Sequence, residues 1–372
     1  MTFFDPRRAA AVARKEVMHI MRDPFTLVLV LGLPVVLVVF FGFAIDFDVK
    51  NLRLGVYDRD NTRHSRQAAS VFGSSGYFLP EGASSPADAA RGLDSGRYSA
   101  ALLIEPGFGR DLGRGAPARA QFIVDGTDNS KAQAVLGYLP GITSAALRKT
   151  GSPAAADPVP LATRYMYNPE LNSRWFVIPG LAVIIIGLLS ILMTALTVAR
   201  EWENGSMELL LSTPLRPAEI IAGKIAPYVL LVLGGVFFVN LVARLGFGVP
   251  FRGSHPLFLS GTLLFALACL SQGIVISVIT RQQQLAMQLS MISGLLPSLL
   301  LSGFIFPVES MPAFFRYFTM ILSPRWFMEA ARGITIRGAG AADLALPLLA
   351  LGGLCALLLA AAFRKFKTDL EP

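Results

Sequence analysis

The chain has 372 residues, of which 53% are apolar and only 16% are charged, and its mean hydropathy is +0.55. An ordinary soluble domain carries about a quarter charged residues, so this composition excludes one and predicts an integral membrane protein. The formal net charge of +8 is not concentrated in any one region, which excludes a nucleic-acid-binding protein.

The amino-terminal segment 1–24 carries a cluster of basic residues, and the charge-free segment 25–45 follows it. About twenty apolar residues in a helix cross a bilayer core of about 30 Å, so 25–45 is predicted to be the first transmembrane helix, kinked at Pro34. Its apolar core is too long for a cleaved signal peptide. Because Lys and Arg remain on the cytoplasmic side of a span, the basic cluster places 1–24 in the cytoplasm as an amphipathic helix.

The segment 46–174 is the large polar part of the chain. Alternating and helical apolar patterns predict strands at 52–57, 98–104, 119–124 and 161–167, and helices at 65–72, 86–92 and 130–149. This mixture predicts a small α/β domain. Because the segment follows one span that starts in the cytoplasm, the domain is predicted to be extracytoplasmic.

Five further charge-free segments predict five more spans, at 175–199, 225–243, 257–280, 285–306 and 344–363. Six spans return the carboxyl terminus to the cytoplasm, where the loop 200–224 also lies. The outer segment 307–343 is apolar but interrupted by charges and proline, so short interfacial helices are expected there. The predicted fold class is a membrane all-α bundle of six transmembrane helices with an inserted extracytoplasmic α/β domain, and 175–372 supplies five of the six.

Side chains suited to catalysis or metal binding do not form recognisable motifs. The three histidines are isolated from one another, which disfavours a metal site. Asp58 and Asp60 follow a predicted strand, where aspartate commonly bonds the backbone of a turn. We therefore expect no catalytic residue, no metal and no bound cofactor.

Gly223 and Lys224 look like the end of a phosphate-binding loop, but Ile225 and Ala218 stand where the motif requires Ser or Thr and Gly. The chain is therefore not expected to bind ATP by itself. The predicted spans also lack embedded carboxylates, which disfavours an ion-coupled carrier. Active transport would then take its energy from another chain, and the cytoplasmic side is the expected place of contact.

The loop 200–224 is the longest cytoplasmic loop, and its pattern predicts a short amphipathic helix. Gly205 can begin this helix, Met207, Leu210 and Leu211 can form its apolar face, and two prolines can end it. A solvated loop lying against lipid head groups is the alternative on pattern alone. The residues assigned to contact with an ATPase are Glu201, Glu203, Gly205, Ser206, Met207, Glu208, Leu210, Leu211, Thr213 and Pro214.

At this loop the chain resembles the permease subunits of type-2 ABC exporters, in the branch with a large outer domain between the first two spans. The matching segments are REWENGSMELLLSTPLRPAEIIAGK (200–224), LSGFIFPVESMP (301–312), SPRWFMEAARGI (323–334) and RDPFTLVLVLGLPVVLVVFFGFAIDFDV (22–49). The resemblance covers nearly the whole chain in order and spacing.

This resemblance implies a half-transporter in a bacterial plasma membrane, with both termini in the cytoplasm. It implies a second permease as homodimer or heterodimer partner, and ABC ATPase subunits that contact the loop 200–224 and the helix 7–21. The expected cargo is a drug or another amphipathic molecule, and membrane lipid is a further partner. A membrane-anchored sensor or scaffold and an ion-coupled carrier remain as alternatives, disfavoured by the six spans and by the missing carboxylates.

The end of the fifth predicted span is the candidate outer gate, because Pro297 should break its helix. Small residues in the first and fifth spans, Gly42 and Gly294 among them, could allow close approach of a second permease or could be internal packing points. The gate candidates are Pro297, Gly303, Phe304, Pro307 and Glu309.

Overall fold

The chain folds as two compact units in the computed structural model, which describes residues 4–44, 51–116, 118–126, 129–150, 167 and 172–366. One unit comprises Met1–Asp46 and Asn172–Pro372 and holds the apolar helices. The other comprises Phe47–Leu171 and holds a β-sheet. Each unit has its own hydrophobic core.

The chain begins with helix α1 (Pro6–Arg22), followed by α2 (Pro24–Leu27), a π-helical turn (Val28–Gly32) and α3 (Leu33–Ala44). The distortion expected at Pro34 takes the form of this wide turn, in which the Leu33 N–H bonds the carbonyl of Val28. Proline cannot donate a backbone hydrogen bond, and a π-helical turn is one way in which a helix accommodates the missing bond.

The unit Phe47–Leu171 is an α/β fold around a four-stranded sheet. The strands are β1 (Leu52–Asp58), β2 (Phe78–Gly82), β3 (Ala100–Ile104) and β4 (Ala120–Val124). The helices are α4 (Arg63–Ser74), α5 (Pro86–Asp94), α6 (Phe108–Gly113) and α7 (Asn129–Thr150). The strand order is β2-β1-β3-β4, with β1 parallel to both neighbours and β4 antiparallel to β3.

The structure has strands at three predicted positions and helices at all three predicted positions. Strand β2 and helix α6 are not predicted from the sequence, because both are short and the FLPEG sequence of β2 contains a proline and no regular alternation. Tyr167 is the one residue of the predicted strand 161–167 that lies within the described residues, and it is not in a strand.

Asp58 and Asp60 have structural roles, as the sequence predicts for turn residues. Asp58 accepts the N–H of Asp60 at 3.0 Å, and Asp60 accepts those of Gly107 at 2.7 Å and Gly109 at 2.8 Å. The Thr62 hydroxyl, together with these amides, holds the pKa of Asp60 below its usual value. These contacts join the end of β1 to the start of α6.

The remaining residues of the first unit form helices joined by short connections. They are α8 (Ser173–Glu203), α9 (Ser206–Leu211), α10 (Pro217–Phe247), α11 (His255–Thr280), α12 (Gln283–Leu300), α13 (Ala313–Phe318), α14 (Ser323–Arg332) and α15 (Ala345–Lys365). Short 3₁₀ turns occupy Val308–Ser310 and Thr319–Ile321, and a second π-helical turn occupies Gly333–Arg337.

Helix α8 packs against α10, α11, α12 and α14, so it lies at the centre of this unit. Thr194 of α8 donates to the carbonyl of Leu270 in α11 at 2.9 Å, and Ser277 of α11 accepts the N–H of Ala199 at 2.7 Å. Such contacts hold helices together where apolar surroundings provide no other polar partner.

Four helices of the described residues are long and apolar enough to cross a membrane: α8, α10, α11 and α15. The first predicted span is interrupted by the π-helical turn. The fifth predicted span, 285–306, is helical only to Leu300, because the chain then bends through Gly303, whose φ is +85°. Helix length alone therefore supports four of the six predicted spans.

One further sequence expectation, that Pro217 is the second of the two prolines ending the short helix, is corrected here. Pro217 does not end the short helix but begins α10, where proline is well placed because the first helical N–H needs no partner in the helix. In the outer segment 307–343, Trp326 is buried and donates its indole N–H to the Met320 carbonyl. Gly42 and Gly294 lie close to side chains of this same chain, Phe247 and Leu188.

Candidate coupling site

The predicted coupling helix exists as α9, which is six residues long. Gly205 stands directly before it with φ of +69°, a conformation that side-chain-bearing residues rarely adopt. The chain therefore turns sharply from the end of α8 into α9 without a strained residue. Helices α8 and α10 extend further than predicted, so the connection between them is shorter than the predicted loop 200–224.

Met207 and Leu210 share a face of α9, as the sequence pattern predicts, but this face is directed into the core of the chain itself. Met207 is fully buried in the core of its own chain, and Leu210 is half-buried against the same core. Leu209, which the pattern does not assign, is 73% exposed. Met207 and Leu210 therefore position α9, and Leu209 is a large apolar side chain that it exposes, whereas the side chain of Leu211 lies outside the described part of the structure.

The other residues assigned to the site differ in their exposure. Glu203, Glu208, Thr213 and Pro214 are exposed, and Ser206 is half-buried. Glu201 is buried, whereas the sequence places it on a polar surface. Their contact with an ATPase stays a prediction.

Glu201 belongs to a group of four charges, Lys15, Glu16, Glu201 and Lys224, which we call the ion cluster; Lys15 is exposed and the other three are buried. The Lys224 ammonium lies 2.9 Å from Glu16 Oε1 and 2.7 Å from Glu201 Oε2. Lys15 lies 2.6 Å from Glu201 Oε1. The side chain of Lys224 is only 2% exposed, so its charge depends on these two carboxylates for compensation.

One feature of the sequence could have predicted this cluster: a glutamate on the apolar face of α1. Glu16 lies four residues from both Val12 and Ile20, on the buried stripe of α1. A glutamate within an apolar stripe requires a cation from another element. Lys224 is that cation, and it therefore has a structural partner rather than a role in a phosphate loop.

Helix α1 crosses α10 at Gly223. A side-chain carbon at this position would lie 2.6 Å from Val12 Cβ and 2.7 Å from the Ala9 carbonyl oxygen, which is closer than real contacts allow. Only glycine therefore permits this crossing. The next residue, Lys224, is brought to the side chain of Glu16 by the same close approach.

Two polar contacts attach the beginning of α1 to the segment after α9. The Asp5 N–H donates to Glu219 at 2.9 Å, and the Arg8 guanidinium donates to the Pro214 carbonyl at 2.6 Å. Together with the ion cluster, they connect α1, the end of α8, the α9 region and the start of α10. These elements form one packed surface.

The gate candidates lie at the other end of α12, and the structure brings only some of them together. Phe304 is buried and stacks on Phe176 with ring centroids 6.5 Å apart, and the Arg332 guanidinium donates to the Gly303 carbonyl at 2.9 Å. Pro297 lies inside α12, whereas Pro307 and Glu309 are exposed.

Arg332, which the sequence does not assign to the gate, also lies over the ring of Phe176 at 3.7 Å. Burial lowers the pKa of its guanidinium to about 10, so it remains a cation at neutral pH. The Gly303–Phe304 bend is thus attached to the start of α8 by a charged side chain from α14.

The chain is similar in sequence to known transporter proteins. The model of a family described as "ABC-2 family transporter protein" matches residues 24–364. The "Probable multidrug ABC transporter permease YbhS" of Escherichia coli (strain K12) is 33% identical over 336 residues, 89% of each chain. The "Inner membrane transport permease YhhJ" of the same strain is 35% identical over 298 residues, 77% of each chain. The "ABC transporter G family member 20" of Dictyostelium discoideum is 25% identical over 340 residues, 89% of this chain and 46% of that one.

Proposed function

Because the chain belongs to the ABC-2 transporter family and is a permease subunit of an ABC exporter, we propose that it receives the force of ATP hydrolysis from a separate ATPase through α9 and α1. The resemblance stated from the sequence is confirmed at the level of family and permease function. The observation that carries the proposal is the exposed apolar side chain of Leu209 on a short helix that Met207 and Leu210 pack against the chain itself.

The ion cluster connects the proposed ATPase contact to helices that cross the membrane. Lys224 lies near the start of α10, Glu201 near the end of α8, and Glu16 on α1, so one buried group of charges joins three helices. Packed interiors transmit displacement because they have few voids to absorb it. A displacement of α9 or α1 would therefore move α8 and α10 as well. Both of these helices are long and apolar enough to cross the membrane.

The proposed topology has six spans: the interrupted segment α2–α3, then α8, α10, α11, α12 and α15. Both termini and α9 lie in the cytoplasm of a bacterial cell, in its plasma membrane, and the unit Phe47–Leu171 lies outside. The charge distribution supports this arrangement, because the segment 1–24 is rich in basic residues.

Cysteine labelling checks the topology. A membrane-impermeant maleimide applied from outside should label cysteine at Ser84 or Ser254, which are exposed, and should not label cysteine at Ser212. Ser212 is a better inner reporter than Ser206, because Ser206 is half-buried and could fail to react for that reason. The two native cysteines are buried and should give little background. Labelling of Ser212→Cys from outside would contradict the topology.

The proposed second permease, identical or paralogous, is placed against α12. This helix packs on α8 through a stripe of small residues that recurs every four positions, while its other sides carry exposed apolar residues. The stripe is Ala286, Ser290, Gly294 and Ser298. The cargo is proposed to be a drug-like or other amphipathic molecule, since a relative is named as a multidrug permease.

Co-purification tests the proposed function. The tagged full chain, extracted from its native membrane, should retain an ABC ATPase and a second permease, and the purified chain alone should not hydrolyse ATP. Hydrolysis should appear only when the ATPase is added, because Ile225 and Ala218 leave the chain without a phosphate loop. Hydrolysis by a preparation free of any second polypeptide would falsify this assignment.

A further inference from the structure

A cavity of about 510 Å³ opens between α8, α10 and α11 and includes Thr335 of the second π-helical turn. Its inner wall is made of buried residues such as Ile178, Val236 and Ala243, while Leu241 and Leu259 at its edge are exposed. The volume falls within the range of about 300–1,000 Å³ that is typical of small-molecule sites. It lies at the opposite end of α10 from the ion cluster.

The polar groups that line the cavity include one cation and two side chains that can donate hydrogen bonds to an anionic group. They are Arg244 and Asn240 of α10 and His255 at the start of α11. Arg244 is exposed and forms no ion pair with any described residue, and none of the residues that line the cavity is a carboxylate. The cavity therefore has an apolar interior with an uncompensated positive charge beside it.

The position of Arg244 along α10 places it at the depth of the lipid head groups. Lys224 and Arg244 are separated by 244 − 224 = 20 residues, with no charged residue between them. At 1.5 Å per residue this is about 30 Å, which is the thickness of the hydrocarbon core. With Lys224 at one boundary of the membrane, Arg244 lies at the other, and the cavity extends from it towards the apolar core.

We propose that this cavity binds one anionic phospholipid of the bilayer, with an acyl chain between α8, α10 and α11 and the phosphate on the Arg244 guanidinium. The charge supports an anion, because a phosphate oxygen accepts strong, charge-assisted hydrogen bonds from arginine. The exposed apolar edge supports a lipid, because Leu241 and Leu259 face the medium that an acyl chain comes from. A snorkelling arginine without a cavity would only attract anionic lipid to the surface.

Lipid binding by the purified full chain tests this proposal without any ATPase, so its result is independent of the coupling proposal. Native mass spectrometry in detergent would compare dioleoyl-phosphatidylglycerol with dioleoyl-phosphatidylcholine. We expect one tightly bound phosphatidylglycerol, and Arg244→Gln should weaken its binding about tenfold. Phosphatidylcholine should be affected less, because its choline cation already compensates the phosphate charge. Arg364→Gln, which removes an exposed cation at the other end of the bundle, is the matched control and should leave the preference intact.

A second variant tests the cavity itself. Ala182 of α8 lines the cavity, and Ala182→Leu should fill part of it and weaken the binding of both lipids without altering any charge. An unchanged thermal unfolding temperature would show that each variant is folded. Phosphatidylglycerol bound by Arg244→Gln as tightly as by the unchanged chain, or by Ala182→Leu with undiminished affinity, would overturn the proposal.

Discussion

Replacing Leu209 with aspartate should abolish assembly with the ATPase, and with it transport, while the permease remains in the membrane at its normal abundance. Leu209 is 73% exposed, so the substitution removes little internal packing of the permease. In the proposed complex it places an ionised carboxylate at a dry contact, which costs about 3 kcal/mol or more without a partner. The affinity for the ATPase should therefore fall more than a hundredfold.

Two neighbouring variants make this result interpretable. Glu208→Gln removes an exposed charge on the same helix and should retain most assembly and activity, because such a charge contributes at most about 1 kcal/mol. Leu210→Asp, the variant favoured by the sequence pattern, should lower membrane abundance as well, since Leu210 packs against its own core. Pull-down and membrane abundance are measured together. A fully assembled and active Leu209→Asp variant would leave α1 as the better candidate for the ATPase contact.

Replacing Lys224 with methionine should destabilise the permease by about 3–5 kcal/mol, because it leaves two buried carboxylates without their shared cation. Helix α1 should then separate from α10, since Lys224 is the cation that pairs with Glu16. Thermal unfolding in detergent measures the first effect. Hydrogen exchange over residues 6–22 measures the second, and the exchange should rise there more than in α11.

The other lysine of the ion cluster provides a matched control. Lys15 contacts Glu201 at 2.6 Å, but its side chain is 55% exposed, so Lys15→Met should cost no more than about 1 kcal/mol. A double variant, Lys224→Met with Glu16→Leu, removes both buried charges of one pair and should recover part of the lost stability. Equal unfolding temperatures for Lys224→Met and the unchanged chain would show that the cluster does not hold α1 in place.

Sequence reasoning succeeds here wherever the signal is local. A run of apolar residues long enough to cross a bilayer predicts the apolar parts of α8, α10, α11 and α15, because hydropathy depends on the run itself. It does not predict where α10 begins, eight residues before the run. The connection between α8 and α10 is likewise recognised by its own sequence, which leads to the family. Asp58 is correctly interpreted as a turn residue, because it bonds the backbone next to it.

Only the tertiary structure decides which faces of these elements are buried and which are exposed. Met207 is buried and Leu209 exposed because α9 packs back on α8, and a six-residue helix with three consecutive leucines does not determine which of them meets that core. The pairing of Glu16 with Lys224 joins residues 208 positions apart. A periodic pattern reports only which residues of one segment share a face. The partner that a face meets, and therefore whether a charge is solvated or buried, depends on residues distant in the sequence.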